Sequence, residues 1–338
     1  MSSAPNAAEV ARDSRWLLQA LDPAAGLARL IAMDGEAYRA ASFLDDRMLQ
    51  QPRTAHVVPW AAVAQAAELA ERDDARWIFH IGHVGSTLIA RMLGELEAVL
   101  SVREPRVLRD LAMLQPQVRA AYLPAVRKLL SRSFGPGQSA LVKATSFVSE
   151  IAPELAGPSG GALLLYAAPR AYIATILAGP NSMVELDHYA QSRRQRLAER
   201  GIALDGAEAS PAHRAAEAWA CEMTALEAAA DAIGDDRSLW ADFDAFLAEP
   251  AGQLEAIARF FGFEATGERI AAIASGPLLG RYSKAPEHDY SPGLRRELLG
   301  EAEQANRADI DAALAMLERS AENAPLLARA LGRARRES

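Results

Sequence analysis

One segment sets the architecture of this chain, and it reads Phe79-His80-Ile81-Gly82-His83-Val84-Gly85-Ser86-Thr87-Leu88. It continues a short apolar run that begins at Arg76 and is rich in residues that favour a β-strand. The two glycines then permit a sharp turn, because glycine adopts positive φ at little cost. From Ser86 onward the apolar residues recur at helical spacing, which predicts a helix over residues 86–96. A strand, a glycine turn and a helix in this order predict the first unit of an α/β fold.

Four further apolar runs alternate with helical segments along the rest of the chain. They lie at residues 99–102, 139–143, 162–167 and 238–241. Short strands with apolar residues at almost every position are typical of a parallel sheet that helices cover on both faces. The sequence therefore predicts an α/β protein with a central, mostly parallel sheet.

The regions around these strands are predicted to be mainly helical. Residues 1–72 form a helical N-terminal segment, because residues 15–32 carry apolar side chains at helical spacing, with one extended piece at residues 54–60. Residues 73–338 form the main domain, with a polar helical insert at about residues 180–235. The basic run of the insert, residues 193–196, is expected to be a solvated helix face.

The composition excludes several classes of protein. Among 338 residues, 36 are Lys or Arg and 44 are Asp or Glu, giving a net charge of −8. A general nucleic-acid binder is not expected, because such proteins carry a basic face. The single cysteine allows neither an internal disulfide nor a zinc site, so no bound metal is expected. With no recognisable signal peptide and no long apolar span, the chain is predicted to be cytoplasmic, without a membrane partner.

The turn after the first strand has the features of an anion site. A helix that begins at Ser86 or Thr87 directs free N–H groups and the positive end of its dipole at the loop, which favours a bound phosphate. The two hydroxyls can donate to phosphate oxygens or cap the helix, so a plain turn with a capping serine is an equally open interpretation. Gly85 stands where the nucleotide-hydrolase loop has a lysine, which disfavours Mg-ATP chemistry.

This loop resembles the one that binds the 5′-phosphosulfate end of PAPS in sulfotransferases, including bacterial sulfotransferase-like proteins. The family loop commonly reads Lys or Arg, Ser, Gly, Thr, then Thr or Ser, and the matching residues here are His83, Val84, Gly85, Ser86 and Thr87. The glycine and both hydroxyls match, while His83 replaces the basic residue and carries charge only when protonated. The resemblance implies a three-layer P-loop nucleotide-binding fold with PAPS or PAP bound, without a metal, by Gly82, His83, Gly85, Ser86 and Thr87.

Two residues at strand ends extend the resemblance to the chemistry of transfer. Glu104 lies 21 positions beyond His83, at the place of the general base of tyrosylprotein sulfotransferases. A carboxylate there removes the proton of the acceptor hydroxyl. Lys143 ends the third strand, where similar sulfotransferases have a lysine that stabilises charge on the bridging phosphate oxygen, and His83 is expected to assist it. Surface roles for Glu104 and Lys143 remain open alternatives.

Two later segments resemble the parts of the family that bind phosphates. After the fourth strand the family has an arginine and then a serine on the next helix; Ala167 and Thr175 occupy these positions, and Arg170 lies between them. Thr175 and Arg170 are therefore implied contacts of the 3′-phosphate. Residues 280–284 resemble the C-terminal loop over the nucleotide, so Arg281, Ser283 and Lys284 are implied phosphate contacts. The resemblance spans residues 76–285.

Together these features predict a sulfotransferase-like protein that moves a sulfuryl group to a hydroxyl or amine acceptor held under the insert. Two alternatives remain open. One is a nucleotide-binding or regulatory module without transferase activity, which His83 and Ala167 favour because both stand at usually basic positions. The other is a kinase-like phosphotransferase. The sequence names neither the acceptor nor the oligomeric state.

Overall fold

The computed structural model describes residues 3–206, 210–280 and 292–336. Within these ranges the chain forms strands β1 (Trp16–Asp22), β2 (Leu27–Ala32), β3 (Ala55–Pro59), β4 (Arg76–His80), β5 (Val99–Arg103), β6 (Ser139–Lys143), β7 (Ala162–Tyr166) and β8 (Ser238–Asp242).

The helices connect and surround these strands. They are α1 (Ala7–Arg12), α2 (Gly35–Ala40), α3 (Trp60–Leu69), α4 (Ser86–Leu93), α5 (Arg106–Ala112), α6 (Pro116–Arg119), α7 (Leu123–Leu130), α8 (Ala152–Ala156), α9 (Pro169–Ala178), α10 (Pro180–Glu199), α11 (Pro211–Ile233), α12 (Phe243–Ala248), α13 (Pro250–Phe261), α14 (Gly267–Ala274), α15 (Pro292–Ala305), α16 (Arg307–Ala321) and α17 (Pro325–Arg336). Short 3-10 helices lie at Asp46–Gln50, Ser146–Ile151, Asp235–Arg237 and Pro277–Gly280.

The central sheet has five strands in the order β5-β6-β4-β7-β8, and every pair in it is parallel. Every residue of β5 and β7 is buried. Burial on both faces of a strand requires layers of helix above and below the sheet. Helix α4 packs against β4, β5 and β6, whereas α11 contacts β4 and β7. The predicted α/β fold with a central parallel sheet is confirmed.

The strand order places a crevice beside β4. From β4 the chain crosses to the edge strand β5 and returns through β6, and it then continues on the opposite side of β4 with β7 and β8. In open α/β sheets, ligands bind at the carboxyl ends of the strands where the winding direction reverses. The loop that follows β4 is the glycine turn at residues 81–85, so the topology puts this turn at the expected ligand position.

The N-terminal segment is not mainly helical, and the prediction of a helix over residues 15–32 is wrong. Strands β1 and β2 form an antiparallel hairpin, and β3 pairs with β2 to complete a three-stranded sheet. Gly26, at a φ of 65°, lies in the connection between β1 and β2. Five successive residues of β1 are buried, so its apolar residues do not alternate and their spacing does not distinguish a strand from a helix. The domain boundary at residue 72 stays a prediction.

Hydrogen bonds fasten the N-terminal segment to the end of β5. The side chain of Arg103 is buried and donates to the carbonyl oxygens of Tyr38, Arg39 and Ala41, with Nε 2.9 Å from the oxygen of Ala41. In return, the backbone N–H of Leu44 donates to the carbonyl of Arg103 at 2.8 Å. The carboxyl end of β5 is therefore joined to residues 38–44.

The predicted helical insert is present as the pair α10 and α11, which pack against each other. Most of α11 is buried, and Trp219 anchors it to the sheet by donating from Nε1 to the carbonyl of Ala167 at 2.9 Å. The insert is thereby held against the carboxyl end of β7.

None of the described helices combines the length and the apolar character that crossing a bilayer requires.

Candidate functional site

The loop between β4 and α4 turns through three residues in the left-handed region. The φ angles are 75° at Gly82, 53° at His83 and 63° at Gly85. The ring of His80 fixes the start of the turn: its Nδ1 accepts the Gly82 N–H at 2.9 Å, and its Nε2 lies 2.9 Å from the carbonyl oxygen of Ala144. These partners require the tautomer that carries its proton on Nε2. The loop is therefore tied to the end of β6 as well as to β4.

Gly85 has no room for a side chain. A Cβ atom at this position would lie 1.9 Å from Cε2 of Phe243, the buried first residue of α12. Its φ of 63° also disfavours any residue with a Cβ. A glycine is thus required at position 85 for two reasons: the turn needs a positive φ, and the ring of Phe243 leaves no space for a Cβ atom.

Helix α4 begins with two buried hydroxyl residues, Ser86 and Thr87. Thr87 is 2% exposed, and its Oγ1 atom has no hydrogen-bond partner among the described residues. A buried hydroxyl without a partner costs about 1–3 kcal/mol, so a partner from outside the chain is favoured. The helix N-terminus makes an anionic partner the most favourable one, because its free N–H groups and dipole attract negative charge. The Thr87 hydroxyl is therefore a candidate donor to a phosphate or sulfate oxygen bound at the start of α4.

A cleft of about 410 Å³ opens beside this loop. Its walls come from the glycine loop, the end of β5, the N-terminal segment and the insert, including Gly82, His83 and Glu104. Three of the predicted site residues are therefore brought into one cavity. Ser86 and Thr87 follow directly behind the loop at the start of α4.

His83 and Glu104 share an unusual backbone conformation. Within the described parts of the chain they are the two non-glycine residues with φ in the left-handed region, at 53° and 52°. This conformation is strained for residues with a Cβ, and such residues cluster at functional sites. The Glu104 N–H donates to the carbonyl of Lys143 at 2.7 Å, which stabilises the turn at the end of β5. Both strained residues line the cleft.

Three groups hold the carboxylate of Glu104. The ammonium of Lys143 pairs with Oε1, while Arg47 Nη2 and Thr145 Oγ1 lie 3.3 and 3.4 Å from Oε2. Lys143 is 1% exposed, and the parallel register sets it beside Arg103, one residue before Glu104. Lys143 thus contacts the predicted base. Its role at a bridging phosphate oxygen stays a prediction.

The side chain of His83 joins the loop to the insert. Its Nδ1 lies 3.5 Å from Ser182 Oγ, and its Nε2 lies 3.7 Å from a carboxylate oxygen of Glu185. Both partners belong to α10. A protonated His83 would therefore lie between a carboxylate of the insert and the loop that is predicted to bind the anion.

Arg47 is a site residue that the sequence analysis missed. Its guanidinium donates to Asp45 at 2.6 to 3.0 Å, reaches Glu104, and lies 3.3 Å from the ring centroid of Phe43. No motif marks Arg47, because it lies in the part of the chain that was predicted to be the helical N-terminal segment. The hydrogen bonds of Arg103 bring this part of the chain to the cleft.

The basic run of the insert is only in part the solvated face that was predicted, because Arg194 and Gln195 are exposed whereas Arg193 and Arg196 are not. Arg193 and Arg196 line the cleft and are mostly buried, and both lie near the carboxylate of Glu222 on α11. Burial raises the pKa of Glu222, and the neighbouring guanidiniums oppose that shift. No local pattern marks this cluster, because helix packing alone decides which arginines face α11.

Other predicted residues are not brought to the cleft. Arg170 is paired with Glu303 at 3.0 Å and Asp311 at 2.6 Å, and Thr175 Oγ1 donates to the carbonyl of Ala171 at 2.7 Å. Neither Arg170 nor Thr175 lines the cleft, so a phosphate contact by Arg170 would require it to leave its two carboxylates.

The remaining predicted phosphate contacts, Arg281, Ser283 and Lys284, lie outside the described residues. Among the residues that the structure does describe, no group of three or more His, Cys, Asp and Glu side chains is arranged to hold a metal ion.

The chain is similar in structure to several sulfotransferases. A sulfotransferase domain from the curacin biosynthetic pathway matches 64% of this chain and 83% of its own, at 13% identity and a TM-score of 0.40. A sulfotransferase domain from the olefin synthase of Synechococcus PCC 7002 matches 68% and 94%, at 15% identity and a TM-score of 0.40. A sulfotransferase from Alicyclobacillus acidocaldarius matches 73% and 94%, at 14% identity and a TM-score of 0.37. No protein-family model and no curated protein sequence matches the chain.

Proposed function

We propose that this protein is a sulfotransferase that binds PAPS, or a related adenosine phosphosulfate, at residues 82–87 and transfers its sulfuryl group to a hydroxyl or amine. One observation carries the proposal: Gly82 and His83 of the glycine loop and the buried carboxylate of Glu104 line a single cleft at the switch point of the sheet. An anion-binding loop and a base in one cavity are what group transfer from a phosphosulfate requires.

The residues of the loop suit the anionic end of the nucleotide. The Thr87 hydroxyl lacks a partner among the described residues, and the N–H groups at the start of α4 favour negative charge. PAPS, when bound, supplies an activated sulfuryl group. Ser86 and Thr87 would donate to its phosphate oxygens, and a protonated His83 would add positive charge beside them.

Glu104 is the base in this proposal. As the acceptor oxygen forms its bond to sulfur, the bond between sulfur and the bridging phosphate oxygen breaks, and the acceptor proton passes to Glu104. Lys143, Arg47 and Thr145 fix the position of the carboxylate through the contacts described above. A carboxylate that is held in place accelerates the reaction by orientation, because it needs no rearrangement before it accepts the proton.

Binding without transfer is a second candidate, and it rests on a specific observation. Both oxygens of the Glu104 carboxylate already have cationic partners, Lys143 and Arg47, and His83 replaces a permanently charged residue. A nucleotide-binding module would keep the loop and use the Glu104 cluster as a structural ion pair. A kinase-like phosphotransferase is less well supported, because Gly85 stands in place of the loop lysine.

Turnover in a Glu104→Gln variant separates these candidates. Wild-type protein and the variant are supplied with radiolabelled PAPS and a panel of hydroxyl and amine acceptors, and PAP affinity is measured in parallel. The proposal expects Glu104→Gln to bind PAP as wild type does and to lose transfer by at least about a hundredfold. The exposed Glu255→Gln variant is the matched control and should keep full activity. PAP binding with no transfer to any acceptor by wild type would favour the binding module.

A further inference from the structure

The wall of the cleft that the insert forms carries a buried arginine and a buried carboxyl group. Arg193 on α10 is 6% exposed and Glu222 on α11 is 2% exposed, and both line the cleft. The shortest contact between them, from Arg193 Nε to Glu222 Oε1, is 3.8 Å, which is too long for a hydrogen bond. The pair is therefore close enough for attraction but leaves hydrogen-bonding capacity unused.

Two atoms of this pair have no hydrogen-bond partner among the described residues. They are Nε of Arg193, a donor, and Oε2 of Glu222, an acceptor. Leaving buried polar atoms unpaired is unfavourable, and native proteins normally satisfy them with a protein group, a water or a ligand. A hydroxyl both donates and accepts, so one hydroxyl or two adjacent hydroxyls would satisfy both atoms.

The charged side chains that line the cleft favour a neutral acceptor beside the anionic nucleotide. The lining of the cleft includes five carboxylates and four guanidiniums. They belong to Asp45, Asp46, Glu104, Glu185 and Glu222, and to Arg47, Arg109, Arg193 and Arg196. These groups pair with each other or with neighbouring residues, and Lys143 lies behind Glu104. The proposed function assigns the charged phosphosulfate end to the loop and the N–H groups at the start of α4. Elsewhere in the cleft a charged acceptor would meet like charges and compete with these pairs, whereas hydroxyls can bond to carboxylates and guanidiniums alike.

We propose that the acceptor is a small neutral molecule with several hydroxyls, such as a sugar glycoside or a cyclic polyol. One hydroxyl lies at Glu104 and receives the sulfuryl group, with the bond changes given above, while another bonds to Arg193 and Glu222. The volume of about 410 Å³ is in the range of small-molecule sites, and the aromatic residues Phe147 and Tyr189 are part of the lining. This inference rests on the proposed sulfotransferase activity and identifies its substrate class.

The test measures binding of neutral and charged polyols to the PAP-loaded protein. Saturation-transfer NMR is run with methyl glycosides and myo-inositol, and with glucosamine and glucuronate as charged analogues. The neutral compounds should bind, and the charged ones should bind more weakly by about tenfold, as expected for uncompensated like charges at a paired site. Equal or tighter binding of the charged analogues, or no binding of any neutral polyol, would overturn the inference.

Variants test the location of the site. Glu222→Gln and Arg193→Lys should each weaken polyol binding by about tenfold while PAP affinity stays unchanged. Glu227→Gln is the matched control, because Glu227 is equally buried on α11 and pairs with Arg333 but does not line the cleft. If a trapped water alone satisfies the pair, neither Glu222→Gln nor Arg193→Lys will change polyol affinity, and the inference fails.

A separate PAP titration distinguishes failure of this inference from failure of the proposed function. PAP binding and transfer to a non-polyol acceptor would leave the function intact and refute the acceptor class. A folded protein that binds no PAP would refute the function, and the acceptor inference would fail with it.

Discussion

The ammonium of Lys143 pairs with the carboxylate of Glu104 inside the protein, and 1% of the lysine is exposed. The two residues are 39 positions apart, and the parallel pairing of β5 and β6 brings them together. The position of the proposed base is therefore determined by the sheet itself. In the proposed mechanism Lys143 therefore positions Glu104, a role distinct from the phosphate contact that the family resemblance implies.

Lys143→Met distinguishes these two roles. Removing one partner of a buried ion pair leaves the other uncompensated, so the free energy of unfolding should fall by about 3–5 kcal/mol. Transfer should be lost because Glu104 is no longer held, while PAP affinity should be unchanged. Urea denaturation and PAP titration measure the two effects. Loss of PAP affinity in a folded Lys143→Met protein would show instead that the lysine contacts the nucleotide.

Arg47 is predicted to support the same carboxylate from the N-terminal segment. Because half of its side chain is exposed, Arg47→Ala should change the free energy of unfolding by no more than about 1 kcal/mol. Loss of a charged hydrogen bond to Glu104 should lower kcat by about tenfold, with the KM for PAPS unchanged. Arg106→Ala is the control, since that arginine pairs with Asp46 and Asp110 rather than with Glu104. Equal losses of kcat in both variants would contradict a specific role for Arg47.

Two glycine variants separate backbone strain from steric exclusion at the loop. Gly85 and Gly262 have φ of 63° and 70°, but a Cβ at Gly262 meets nothing within 4 Å, whereas at Gly85 it meets Phe243. Gly262→Ala should therefore cost about 1 kcal/mol of unfolding free energy, from the left-handed backbone alone. Gly85→Ala should cost clearly more and abolish PAP binding, because the loop or the ring must shift. Equal melting temperatures for the two variants would refute the packing argument.

The sequence predicted the parallel sheet well because its strands carry unambiguous signals. Continuous apolar runs bounded by glycine or polar turns placed all five strands to within one residue at each end. Positions such as Gly85 were identifiable because the turn requires glycine. The N-terminal hairpin was missed because β1 is buried along most of its length, and helical spacing fits such a run equally well.

The candidate site was only partly predictable, because some of its residues are brought together by tertiary packing and not by their order along the chain. Residues that lie on the loop or at strand ends, such as His83, Glu104 and Lys143, could be assigned from local order and from the family resemblance. Arg47 and Glu222 reach the cleft through tertiary packing, by the Arg103 hydrogen bonds in one case and the α10–α11 contact in the other. No local pattern in the sequence encodes those distances.

The buried carboxyl of Glu222 should make stability depend on pH. Burial raises its pKa in the folded protein above the ordinary value of 4.5, so the folded state keeps this proton where the unfolded state has lost it. Stability contributed by this group is therefore full below the ordinary value and is lost as pH rises through the folded pKa. Glu222→Gln, which cannot ionise, should lack this loss. Urea denaturation from about pH 4 to about pH 8 measures the difference, and parallel curves for both proteins would contradict it.

The most direct test of the central claim is a calorimetric titration of PAP into wild-type protein and a Thr87→Val variant. Valine keeps the shape of threonine and removes the buried hydroxyl that lacks a partner among the described residues. The account predicts saturable PAP binding by wild type and a loss of at least about tenfold in Thr87→Val, with the melting temperature of the variant unchanged or higher. A folded wild-type protein that binds no PAP, or equal affinity in the two proteins, would contradict it.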